Sequence, residues 1–106
     1  MIVHISMAKY KESAEGRTKE ENIRLGKQMT ENLKTCIPSL HKIEVGTNIL
    51  GGPTDYDVVS YSEYLSMEDV VATQKNPAHD ELIAFLKKVT EGSHAVTFER
   101  MESGVG

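Results

Sequence analysis

Apolar and polar side chains alternate at the start of the chain. Val3, Ile5 and Met7 interleave with His4, Ser6 and Ala8, so Ile2 to Ala8 reads as a strand. A polar stretch follows from Lys9 to Arg17, with Gly16 as a breaker. Thr18-Lys19-Glu20-Glu21 has capping-box form, Thr18 as N-cap and Glu21 at the third helical position. Leu25, Met29, Leu33 and Cys36 then recur at steps of four and three, which is one helical face. Pro38 stops that helix, because a residue before proline leaves helical geometry. Leu40 to Asn48 reads as a second strand with Ile43 and Val45 on one face, Gly51-Gly52-Pro53 as a loop, and Asp57 to Tyr64 as a third strand. The short polar connection between the two predicts an antiparallel pair.

Ser66-Met67-Glu68-Asp69 again has capping-box form and opens a short helix carrying Met67, Val70 and Val71. Asn76-Pro77 ends it and starts another, since asparagine is a favoured N-cap and proline is pre-set for the first helical position. Ala78, Leu82, Phe85, Leu86 and Val89 make the buried stripe of this helix, Gly92 is placed as its C-terminal cap, and Ala95 to Met101 is the last strand. The order is β-α-β-β-α-β with the second helix split. It predicts an α+β, ferredoxin-like fold with a four-stranded antiparallel sheet and helices on one face. The other face carries several apolar side chains under either parity, which predicts a homodimer packed sheet against sheet. Residues 1–101 read as one domain and 102–106 as a mobile tail.

Composition narrows the function classes. Twelve basic residues against sixteen acidic ones give a net charge of −4, and the basic residues are scattered. Neutralising phosphates needs clustered Lys and Arg, so neither a nucleic acid nor an acidic membrane is expected as a partner. An RNA-recognition module shares this element order, but the third strand, Asp57 to Tyr64, lacks its K/R-G-F/Y-G/A-F-type pattern of stacking aromatics. Cys36 is the only cysteine, so no intrachain disulfide forms, and no apolar run approaches a membrane span of about 20 residues. The start also lacks the basic and long apolar regions of a signal peptide, so a cytoplasmic setting is expected. His4, His41, His79 and His94 show no ligand spacing and Cys36 has no partner, so no metal and no cofactor is expected.

Val3-His4-Ile5, Ile37-Pro38, Ile43-Glu44-Val45-Gly46 and above all Asn76-Pro77-Ala78-His79 resemble the stress-responsive α/β-barrel domain family, the dimeric α/β barrels. The resemblance runs from about Ile2 to Arg100. It implies a homodimer whose two sheets face each other as a barrel. Many members lack a known activity; some are stress-induced plant proteins and others plant polyketide cyclases. In those cyclases the motif histidine is a general base, which here is His79. Its tyrosine partner, six residues earlier, corresponds to Thr73. A second pocket tyrosine, eight residues before the proline that ends the first helix, corresponds to Thr30. A pocket histidine in the first strand is matched by His4. Two histidines are thus kept and two tyrosines replaced by threonine, whose hydroxyl has neither the reach nor the acidity of a phenol. The resemblance also turns His4, Ser6 and Ala8 toward the helices, whereas alternation alone would put Val3, Ile5 and Met7 there. We take the former orientation.

His79 falls at the third position of its helix, at the edge of the stripe beside Ile83 and Leu86. The positive end of the helix dipole disfavours imidazolium there, and a neutral imidazole suits a general base or a hydrogen-bond partner. The plain alternative is that it shields the helix start or bonds a backbone carbonyl. Small side chains such as Ser6 beneath helices leave cavities, the resemblance puts Thr30 and Thr73 at its pocket-tyrosine positions, and Ile83 adjoins His79, so Ser6, Thr30, Thr73 and Ile83 are the candidate ligand contacts. The expectation is a homodimeric, non-enzymatic stress-response protein or binder of a small apolar ligand. The alternative is a cofactor-free enzyme, a polyketide-cyclase-like lyase or isomerase or a monooxygenase, with His79 as base and His4 orienting a substrate oxygen.

Overall fold

The computed structural model describes residues 1–101; the expected tail at 102–106 lies outside the described residues. Strand β1 (Ile2–Tyr10) is followed by a small hairpin, β2 (Ser13–Ala14) and β3 (Arg17–Thr18), then helix α1 (Lys19–Cys36) and strands β4 (Lys42–Thr47) and β5 (Val58–Tyr64). Helices α2 (Met67–Gln74) and α3 (Pro77–Val89) and strand β6 (Thr90–Glu99) complete the chain. The main sheet has the order β4-β5-β1-β6, antiparallel throughout. This is the ferredoxin-like arrangement that the order of elements predicts.

Local chemistry accounts for the boundaries. Glu21 N–H donates to the Thr18 hydroxyl while the Glu21 carboxylate accepts from Thr18 N–H, a complete capping box. Ile37, ahead of Pro38, is extended and closes α1. Asn76 caps α3 by accepting from Ala78 N–H at 2.9 Å. The polar stretch after β1 contains the β2–β3 hairpin, turned by Glu15 and Gly16, both with positive φ.

Three expectations are corrected. Gly92 is not a helix cap: it lies inside β6, and α3 ends at Thr90, whose hydroxyl donates to the Leu86 carbonyl at 2.7 Å. The buried face of α1 is Asn22, Gly26, Thr30 and Leu33: of the expected stripe Leu33 is buried and Met29 packs against the core, while Leu25 and Cys36 are exposed. The reason is what lies opposite. Asn22 is fixed by Arg17 Nε and the Ala14 carbonyl, and Gly26 accommodates the Tyr10 phenol, so the small and polar side of the helix meets the sheet. In α2, Val70 is buried but Met67 and Val71 are exposed.

Parity is settled by packing. Ser6, Ala8 and Tyr10 share a cavity with Gly26 and Thr30 of α1 and Leu86 of α3, so the even positions of β1 face the helices. Val3, Ile5 and Met7 face the bare side with Val59, Tyr61, Glu63, Val96 and Phe98, their cross-strand partners. Ile2, Tyr64, Leu33, Ile37, Leu40, Val70 and Leu82 form the core between sheet and helices.

Candidate functional site

A seam runs between β1 and the two long helices. At one end Leu86 of α3 faces Ser6, Ala8 and Tyr10 across the cavity. His79 lies seven residues before Leu86, two turns and about 10 Å back along the same helical face. His4 lies two residues before Ser6 on the same sheet face, about 7 Å along the strand. The seam therefore has an imidazole end and a hydroxyl end.

At the imidazole end, His4 Nδ1 and the Thr97 hydroxyl share a 2.7 Å hydrogen bond across the β1–β6 pair. His79 is half-buried at the third position of α3, with its backbone N–H donated to the Asn76 carbonyl. Its Nδ1 is buried with no hydrogen-bond partner among the described residues. Such an atom is a rarity that asks for a reason, because an unmet buried polar group is costly. Burial lowers the basicity of both rings. For His4 the nearby His79 adds to that effect; for His79 the adjacent Asp80 partly opposes it. His79 thus disfavours a charge on His4, and burial favours the neutral form of both rings.

At the hydroxyl end, the cavity measures about 40 Å³. Ser6, Thr30, Ser60 and Tyr10 supply its polar surface, and Ala8, Gly26, Val45, Val58 and Leu86 its walls. Thr30 is buried and its hydroxyl donates to the Gly26 carbonyl at 2.7 Å. Neither imidazole lines this cavity. Thr73 is not in it either: it is buried in α2 with its hydroxyl bonded to Ser39 at 2.8 Å, tying that helix to the segment after α1. Ile83 is 36% exposed on α3, outside the cavity. Of the expected site residues the structure thus brings Ser6 and Thr30 into one cavity and couples His4 with His79. Among the described residues no three His, Cys, Asp or Glu side chains gather as a metal site.

The family model for the stress responsive A/B barrel domain matches residues 2–100. The chain belongs to this family. The barrel-domain fold recurs in solved structures. A dimeric protein of unknown function and ferredoxin-like fold from Bacteroides fragilis is 26% identical, with a TM-score of 0.76, covering 93% of this chain and 95% of its own. A dimeric ferredoxin-like protein of unknown function from Thermobifida fusca is 18% identical, with a TM-score of 0.78 and coverage of 92% and 88%. The hydroxynitrile lyase from Passiflora edulis is 18% identical, with a TM-score of 0.80 and coverage of 96% and 94%. A comparison with curated proteins found no match.

In this barrel-domain chain, sequence reasoning overlooked Tyr10. It is 2% exposed, and its hydroxyl lies against Gly26 so closely that a Cβ there would collide with it. The signal was present. The even parity that brings His4 and Ser6 inward continues to Tyr10, and Gly26 precedes Thr30 by one helical turn, a gap opposite a large side chain.

Proposed function

We propose that this protein is a homodimeric barrel-domain protein that holds a small ligand in the seam between sheet and helices, with neutral His79 accepting a hydrogen bond from it. The observation that carries the reading is the buried Nδ1 of His79, which has no partner among the described residues and is an acceptor in the Nε2–H tautomer of the neutral ring. A ligand O–H or N–H at that atom would relieve the cost of the unmet group. The nearby His4 and the cavity at Ser6 and Thr30 lie along the same seam. Dimerisation through the bare sheet face is supported by its apolar residues and by the dimeric Bacteroides fragilis and Thermobifida fusca proteins. The apolar half of that face is Val3, Ile5, Met7, Val59, Val96 and Phe98, of which Met7, Val59, Val96 and Phe98 are exposed in a single chain. Residues 1–101 act as one domain, and a reducing cytoplasmic setting suits a chain whose one cysteine, Cys36, is exposed. No helix among the described residues is long and apolar enough to cross a membrane.

A second reading rests on the paired imidazoles. Two imidazoles near enough for His79 to lower the basicity of His4, both favoured in the neutral form, suit proton transfer, with His79 as general base and His4 orienting a substrate oxygen in a cofactor-free lyase, isomerase or monooxygenase. Threonine at positions 30 and 73 removes the phenols of the cyclase pattern and weighs against that particular reaction.

The test is a thermal-shift screen of small uncharged compounds on wild type and His79→Ala. A ligand at a hundred times its Kd adds about 2.7 kcal/mol, several degrees for a domain of this size. We expect shifts in wild type that shrink or vanish in the variant. Equal shifts in both, with the variant equally folded, would remove His79 from the site. For each hit that carries an acidic C–H, deuterium uptake in D2O that depends on His79 separates the enzymatic reading from simple binding.

A further inference from the structure

The hydroxyl end of the seam carries a group that neither the family pattern nor the imidazole pair uses. Tyr10 closes the helix-facing side of β1, its ring packed over Gly26, and it is almost wholly buried. Its hydroxyl has no hydrogen-bond partner among the described residues, although it lines a cavity with three other hydroxyl side chains. Thr30 gives its proton to the Gly26 carbonyl, so its oxygen presents lone pairs to the cavity. Tyr10, Ser6 and Ser60 therefore remain as donors, of which Tyr10 is the most deeply buried, and no Lys, Arg or His lines the cavity.

We propose that the Tyr10 hydroxyl is a ligand-binding group that donates a hydrogen bond to an uncharged carbonyl oxygen held in this cavity. The inference rests on the seam being a ligand site and names the chemical class it selects. Charge is what excludes anions. The phenol is pushed up to about 12, first by burial and then by the neighbouring Asp57 carboxylate, so this spot resists negative charge. Asp57 is held in place by Tyr10 N–H at 2.8 Å and by Lys19 at 3.5 Å, so its field is a fixed part of the site. A carboxylate entering the cavity would meet that field with no cation lining the cavity itself, whereas a ketone or aldehyde oxygen accepts from the phenol without charge. The volume of about 40 Å³ suits the oxygen-bearing end of a ligand, since each water needs roughly 10–15 Å³. The phenol also supplies the kind of group that Thr30 lacks, delivered from the strand instead of the helix.

The test uses acetone and acetate, which differ in charge while nearly matching in size, titrated into the full chain and followed by backbone amide NMR. Acetone is expected to move the Ser6, Ala8 and Thr30 amides, and acetate at the same concentration is not. Tyr10→Phe removes one hydroxyl and no packing, so it is expected to fold as well as wild type and to bind acetone roughly two- to tenfold more weakly, the worth of one net hydrogen bond. Equal acetone affinity in Tyr10→Phe, or acetate binding as tight as acetone, would overturn the assignment. Acetone moving the His79 and His4 signals while leaving Ser6 and Thr30 still would also overturn it, with the wider reading of the seam intact. Acetone moving neither group would count against both.

Discussion

The two faces of one sheet carry opposite chemistry. Toward the helices, the middle of β1 and β5 presents small hydroxyl and methyl side chains, Ser6, Ala8 and Ser60, around a cavity, with two imidazoles and a phenol beside it. Away from them, the same strands present Ile5, Met7 and Val59, joined by Val96 and Phe98 of β6. In an ordinary two-layer domain the larger apolar side chains lie under the helices. Here the helix side is under-filled in its middle and the open side is apolar. The difference shows how the protein divides its sheet: one face keeps space, and the other exposes apolar surface.

The open face is itself divided. Its apolar half lies over β1 and β6. On the β4–β5 side Glu63 accepts from the Tyr61 hydroxyl at 2.6 Å and from Arg100 at 3.0 Å, while Lys42 stands 5.9 Å from the Tyr61 ring centre. The Tyr61 hydrogen bond, with Arg100 behind it, holds the Glu63 carboxyl below its ordinary range. A charged, mutually satisfied cluster beside an apolar patch is how interfaces place polar groups at a rim.

The sharpest way to break the comparison is to charge the open face. Val96 is 55% exposed in a single chain, so Val96→Asp would be nearly silent in a monomer. In a sheet-to-sheet dimer it buries an unpaired carboxylate, at a cost of about 3 kcal/mol or more. Sedimentation velocity at micromolar concentration is expected to show a dimer for wild type and a monomer for the variant. A wild-type monomer would refute the sheet-facing interface. A smaller effect is expected on the other face. Gly26→Ala pushes a methyl into the Tyr10 hydroxyl, and overpacking of this kind costs about 1–3 kcal/mol, partly offset by the better helix propensity of alanine, worth up to about 1 kcal/mol. The next atoms the methyl would meet, Tyr10 Cζ at 3.4 Å and Phe85 Cε2 at 3.5 Å, are at ordinary contact distance. The double variant Gly26→Ala with Tyr10→Phe should therefore recover most of the loss in urea denaturation while remaining a dimer. Simple additivity would contradict the contact.

Much of this was legible in the chain. The Thr18 capping box, the stop at Pro38 and the Asn76-Pro77 start give the element order, and the order gives the fold. Alternation in β1 did not reveal which side is inside, because both parities carry apolar groups and the larger set faces outward. The register of α1 is legible only in part for the same reason: Leu33 and Met29 do face the core, but Leu25 and Cys36 are exposed and the small side at Gly26 and Thr30 fits against Tyr10. His79 was placed at the third position of α3 from spacing alone, yet the unmet state of its Nδ1 depends on neighbours that no pattern encodes. Tyr10 escaped notice because a single tyrosine at the end of a strand has no motif; only the glycine opposite makes it conspicuous.

The central claim is that the seam holds two neutral imidazoles, one with an unmet ring nitrogen. Both rings have their basicity lowered on folding, so the folded protein binds fewer protons than the unfolded chain just below pH 6.5. Stability is then fully present above the ordinary histidine value and is lost as pH falls below it toward the lowered folded values. The direct measurement is a ¹⁵N imidazole NMR titration of His4 and His79 in the native protein from pH 8 to pH 4.5. Both rings are expected to stay neutral at pH 7 and to titrate below 6.5, with the melting temperature falling over the same range and less steeply in His79→Asn. A His79 ring already protonated at pH 7, or titrating above 6.5, would contradict the account.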